Sequence, residues 1–63
     1  METQSIEIEI FQMGGYDEAI VDAKHEAERR INGFKAQSAK FLWASSREGA
    51  GRWVGIEVTG VKS

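Results

Sequence analysis

Residues Tyr16–Phe34 read YDEAIVDAKHEAERRINGF, and the rest of the chain is written to cover them. The apolar members are Tyr16, Ala19, Ile20, Ala23, Ala27 and Ile31. At about 100° per residue they fall on one stripe of an α-helix. Glu18, His25 and Arg29 lie opposite, with Asp22 and Glu28 on the flanks. Half of the stripe is alanine, so a sheet can approach the helix closely. Gly14-Gly15 breaks the chain ahead of the helix. Asp17 and Glu18 in the first turn and Arg29 and Arg30 in the last complement the helix dipole. Asn32-Gly33 ends the helix by the left-handed glycine device, so that a strand starts at Phe34. Of the pairs four apart, Glu26/Arg30 is favourable, Lys24/Glu28 is the reversed pair and Asp22/Glu26 is repulsive.

Upstream, Ser5–Phe11 reads SIEIEIF and alternates strictly. Ile6, Ile8 and Ile10 face one way and Ser5, Glu7 and Glu9 the other, the pattern of a half-buried strand. Glu7 and Glu9 repel each other unless solvent, a lysine of a neighbouring strand or another subunit compensates them. Downstream, Phe34–Ser45 changes parity midway. Phe34, Ala36 and Ser38 form one set; Phe41 and Trp43 form another of opposite parity. This predicts a bulge near Ala39-Lys40, with the first half covering the helix and the second half projecting elsewhere. SREGAG at 46–51 is a turn by composition. In Arg52–Val61, Val54, Ile56 and Val58 form the inward set, and Trp53, Gly55, Glu57 and Thr59 point outward. Gly60 marks close packing or a bend.

The expected fold is therefore α+β in the order β-α-β-β, a single domain over residues 1–63. A three-stranded antiparallel sheet, whose last two strands form a long hairpin, wraps one helix. One helix covers one sheet face; the other has no cover within the chain.

Size sharpens that point. The chain has 63 residues. A domain of about 60 residues buries only about 60% of the surface its unfolded chain exposes, and scaffolds of this size need a staple. There is no cysteine, so a disulfide and a thiolate zinc site are excluded, and a single histidine excludes a His-rich metal cluster. Association with other copies remains. The net charge of −2 argues against a nucleic-acid partner, which requires a concentrated basic surface. No apolar run approaches the ~20 residues of a membrane span. The N-terminal METQSIEIEI lacks the basic start and apolar core of a signal peptide, so no membrane partner and a cytoplasmic location are expected.

No stretch spells out a reaction. His25, on the polar helix face, has no nucleophile beside it. GAG at 49–51 follows no strand-to-helix transition and is not a phosphate loop. Ser38, Ser45 and Ser46 lack a nucleophile-elbow setting. Glu7, Glu9 and Glu57 are oxygen donors for calcium or magnesium if they meet across strands, and otherwise a solvated face. Phe41, Trp43 and Trp53 read as an oligomer contact or as a platform for a flat aromatic ligand.

The β-α-β-β order resembles the dodecins, small flavin-binding proteins that assemble into hollow dodecamers. The likeness spans nearly the whole chain. It rests on Tyr16-Asp17-Glu18-Ala19-Ile20, on Ala23 and Ala27, on Ile31-Asn32-Gly33-Phe34, and on Ile56-Glu57-Val58. The family places a tryptophan shortly after the helix to stack on the isoalloxazine ring, and a glutamine early in the third strand to bond the ring edge. Here those positions hold Lys35 and Gly55 (Val54 in an ungapped hairpin), and Gly15 replaces the serine common before the helix. The resemblance implies a homo-oligomer, a dodecamer if the family carries over. It also implies a non-enzymatic role in binding or storing a small aromatic ligand of the flavin type (FMN, FAD or riboflavin), with Lys35, Gln37 and Gly55 lining the site. With both ring contacts replaced, the alternative is a structural or protein-interaction oligomer without cofactor. No resident metal is expected.

Overall fold

A computed structural model describes residues 2–63. Strand β1 (Glu2–Gln12) leads into helix α1 (Tyr16–Arg30), followed by β2 (Phe34–Ala44) and β3 (Arg52–Lys62). The strands form one sheet in the order β1-β3-β2, antiparallel at both junctions. The α+β, β-α-β-β architecture expected from the sequence is the one observed, with the last strand in the middle.

The central position of β3 follows from its composition. Val54, Ile56 and Val58 are fully buried beneath the helix. Across β1 they oppose Ile10, Ile8 and Ile6, placing that strand's alternating isoleucines on the same face. The helix contributes Ala19, Ala23 and Ala27, all at 0% exposure. With methyl groups as the helix's whole contribution at those positions, the backbone settles onto the β-branched layer. Burying each valine or isoleucine contributes about 1.5–3 kcal/mol, so this small core is also the main source of stability. Phe34 closes its far end. There Gly60 lies so close to β2 that a Cβ on it would come within 2.7 Å of the Phe34 ring and 2.9 Å of the Ala36 Cα. The close packing expected at Gly60 is thus present.

The helix is shorter than its amphipathic stretch. It stops at Arg30, Ile31 returns to an extended conformation, and Gly33 takes a φ of +80° before β2 begins at Phe34. β1 is longer than expected, reaching back to Glu2 because Glu2, Thr3 and Gln4 pair with Lys62, Val61 and Gly60. Tyr16 belongs to the stripe by spacing but is exposed.

β2 departs most from its expected form. It carries two irregularities, at Gln37 and at Leu42, and none at Ala39-Lys40. Each is one surplus residue, so parity switches twice. Phe34, Ala36, Ala39, Phe41 and Ala44 pair with helix-side residues of β3, whereas Ser38 pairs with Thr59 and Trp43 with Gly55 on the other face. Ser38 therefore does not share the face of Phe34 and Ala36. Phe41 and Trp43, expected together, point to opposite sides. Phe41 meets Tyr16 edge-on at a ring separation of 5.0 Å on the helix side.

Candidate functional site

The sheet face away from the helix is built by the outward sets of all three strands. β1 supplies Ser5, Glu7, Glu9 and Phe11; β3 supplies Trp53, Gly55, Glu57 and Thr59; β2 supplies Ser38, Lys40 and Trp43. No other element of the described chain covers this face.

At one end the aromatics gather. Phe11 and Trp53 are cross-strand partners with rings 5.5 Å apart, edge to face. Trp43 lies across Gly55, and a Cβ at residue 55 would run into the indole. Its Nε1–H reaches over β3 and donates to a Glu7 carboxylate oxygen at 3.1 Å. Trp43, Trp53 and Phe11 remain about 40% exposed (39%, 42% and 40%), although each touches a neighbour. Of the six aromatics in the chain, only Phe34 is buried.

The middle of the face is charged. Glu7 stands directly opposite Glu57, and Lys40 approaches Glu57 at 3.5 Å. The Trp43 indole and the Lys40 ammonium thus temper two carboxylates that the ladder forces together. Glu9 opposes Gly55. Among the described residues no three histidine, cysteine or acidic side chains come together as a metal site. Further along, Ser5 and Thr59 share a hydroxyl hydrogen bond of 2.9 Å.

The three residues proposed as a site occupy two places. Lys35 and Gln37 line a shallow groove of about 460 Å³ with Glu28, Gly33 and Val61, where the helix hands over to β2. Gln37 is itself the surplus residue of the first bulge, free of any ladder partner. Gly55 lies beneath Trp43 in the aromatic end. Lys35 opposes Val61, six positions along β3 from Gly55. At about 3.4 Å per residue this is roughly 20 Å, so one chain does not bring the three together.

Glu28 fixes the groove from the helix side. Its carboxylate accepts the Ala36 backbone N–H at 2.9 Å and so ties α1 to the outer edge of β2. On the opposite flank, Arg29 and Arg30 both bond to Glu26 at 2.8 Å, which holds the Glu26 carboxyl below its ordinary range. His25 is exposed on the helix. Sequence reasoning missed the seating of Trp43 on Gly55. The signal was there: an outward glycine in a central strand leaves a gap that a neighbouring aromatic fills.

No helix among the described residues is long and apolar enough to cross a membrane. No family model, curated protein or solved structure matches the chain.

Proposed function

We propose that the chain is a non-enzymatic subunit of a homo-oligomer of the dodecin kind, which holds a small flat aromatic ligand, flavin-like in shape, where copies meet. The observation that carries this reading is the aromatic end of the uncovered face. Trp43, Trp53 and Phe11 keep about 40% of their surface in solvent (39%, 42% and 40%) on a domain whose core is one layer of aliphatic side chains. Indole faces offer stacking area to a planar ring and also apolar area to another subunit. Gly55, by carrying no side chain, lets Trp43 lie flat. Lys35 and Gln37 are polar groups suited to a ring edge or a phosphate tail, and they join Gly55 in one site only across subunits. A dodecamer in the cytoplasm is the form this proposal takes.

A second reading has its own support. Trp43 is already engaged by Gly55 and Glu7, so the aromatics also suit an assembly that binds no flavin. One pair of measurements separates the two: native mass, and quenching of riboflavin or FMN fluorescence on titration with protein. A multimer that quenches supports ligand binding. A multimer that leaves the fluorescence unchanged leaves the structural reading, and a monomer overturns both.

A further inference from the structure

The two margins of the sheet are built differently. The free edge of β2 is guarded: it bulges twice, carries Lys35 and Lys40, and has its Ala36 N–H taken by Glu28. Bulges, lysines and covering groups are what natural sheets use to prevent strand addition. The free edge of β1 has no bulge and no lysine, and among the described residues no side chain bonds to its backbone; Arg30 of the helix comes near it, in a groove shared with Glu7 and Glu9. β1 pairs with β3 over eleven consecutive positions without a register shift, and Glu2–Gln12 contains no lysine, arginine or proline.

Which backbone groups β1 offers follows from β3. Trp53 donates its N–H to the Ser45 Oγ, and its carbonyl accepts the Ser45 N–H, so Trp53 addresses β2. By alternation Val54, Ile56 and Val58 address β1 and bond with Ile10, Ile8 and Ile6. Thr3, Ser5, Glu7 and Glu9 therefore direct their N–H and C=O groups to the open margin.

We infer that this margin is an interface for β1 of a second copy, antiparallel about a two-fold axis at Ile6. The register follows from charge. An axis at Glu7, Ile8 or Glu9 sets a Glu7 or Glu9 carboxylate opposite another, and Glu7 already faces Glu57 on its inner side. An axis at Ile6 places Ser5 opposite Glu7 and Thr3 opposite Glu9 of the second copy, pairing hydroxyl donors with carboxylates. It also sets Ile6 against Ile6 on the helix side and engages Glu2–Ile10. An axis at Ser5 avoids the repulsion too, but shortens the pairing and sets Ile6 against Gln4. The result is a six-stranded sheet with both helices on one face. This interface rests on the self-association proposed above and is independent of any ligand.

The test uses the absence of native cysteine. In the inferred register residue 6 forms a non-hydrogen-bonded pair with itself, with Cα atoms about 4.5 Å apart, inside the disulfide range of about 4.4–6.8 Å. Ile6→Cys, mildly oxidised, is expected to run as a covalent dimer on a non-reducing gel, and Ile8→Cys to remain a single chain. Ser5→Pro removes an N–H that has no partner within the chain; it is expected to keep the far-UV spectrum and to lower the native mass. Cross-linking through Ile8→Cys, or an unchanged native mass for a folded Ser5→Pro, overturns the proposal. If the wild type is multimeric but Ile6→Cys does not cross-link, the β1 interface alone falls. A monomeric wild type removes the self-association reading with it, and failure to quench riboflavin touches neither.

Discussion

The indole of Trp43 lies over Gly55 and donates to Glu7 at 3.1 Å, so one aromatic side chain from β2 reaches across β3 to β1. This contact depends on residue 55 having no side chain. Gly55→Ala puts a methyl group into the indole and must lift it. Overpacking of this kind costs about 1–3 kcal/mol. In a Trp53→Phe background, where Trp43 is the only tryptophan, the substitution should shift tryptophan emission to longer wavelength and lower the urea midpoint. Unchanged emission would show that the indole does not rest there.

The alanine face of the helix sets how closely helix and sheet approach. Ala23 is fully buried between neighbours that are fully buried themselves. Ala23→Leu adds volume that the layer beneath has no space to accept, at a cost of about 1–3 kcal/mol. Ala23→Gly should also destabilise, by about 1 kcal/mol, through helix propensity. Chemical denaturation of the two variants should therefore show both changes as losses. A gain in stability for leucine would mean that the helix stands off the sheet.

Glu28 is expected to matter through its carboxylate and not through its propensity for helix. Glu28→Ala removes the acceptor of the Ala36 N–H. A hydrogen bond to a charged group is worth about 1.5–3 kcal/mol where well sheltered, and less on this exposed edge. The sharper readout is amide exchange, which should quicken at Ala36 in Glu28→Ala while the centre of β3 keeps its protection. Glu28→Gln, which retains a carbonyl acceptor, should restore part of the slow exchange.

The end of the helix should respond to acid. Hydrogen bonds from Arg29, then from Arg30, hold the Glu26 carboxyl below its ordinary value of 4.5. A group whose pKa is lowered by folding adds stability above its unfolded value and loses it as pH falls through the folded one. The contribution of this surface pair is therefore complete at neutral pH, starts to fade as pH falls past the unfolded value of 4.5 and is gone only below the lower folded value. Circular dichroism should show fraying of the last helical turn in acid, and salt should weaken the effect at neutral pH. Glu26→Gln should remove that pH dependence and leave helicity near its acid value throughout.

Much of the architecture could be read because two periods are written cleanly. The run Ile6, Ile8, Ile10 and the run Val54, Ile56, Val58 each specify a face, and they meet as cross-strand partners. Ala19, Ala23 and Ala27 specify the side of the helix that meets them. β2 resisted the same reading because parity identifies a face only in an unbroken strand. Gln37 and Leu42 each add one position, so Ser38 and Phe41 fall on the sides opposite to those their spacing suggests. The face of Trp43 was legible, but its partners were not. Reach from one strand over a second to a third is a tertiary distance, and no local pattern encodes it. The resemblance assigns Lys35, Gln37 and Gly55 by position alone, and position along a chain does not specify separations within it.

Gln37 and Leu42 have a further consequence. Neither occupies a rung of the β2–β3 ladder, since Ala36 and Ser38 pair with the adjacent residues Gly60 and Thr59, and Phe41 and Trp43 with Ile56 and Gly55. Excising both codons would leave every rung intact and every remaining side chain on its own side. What would vanish is the extra coiling that such insertions impart. The trimmed sheet would straighten away from the helix, and its β2 border would rely on Lys35, Lys40 and the Glu28 carboxylate alone to turn away a further strand.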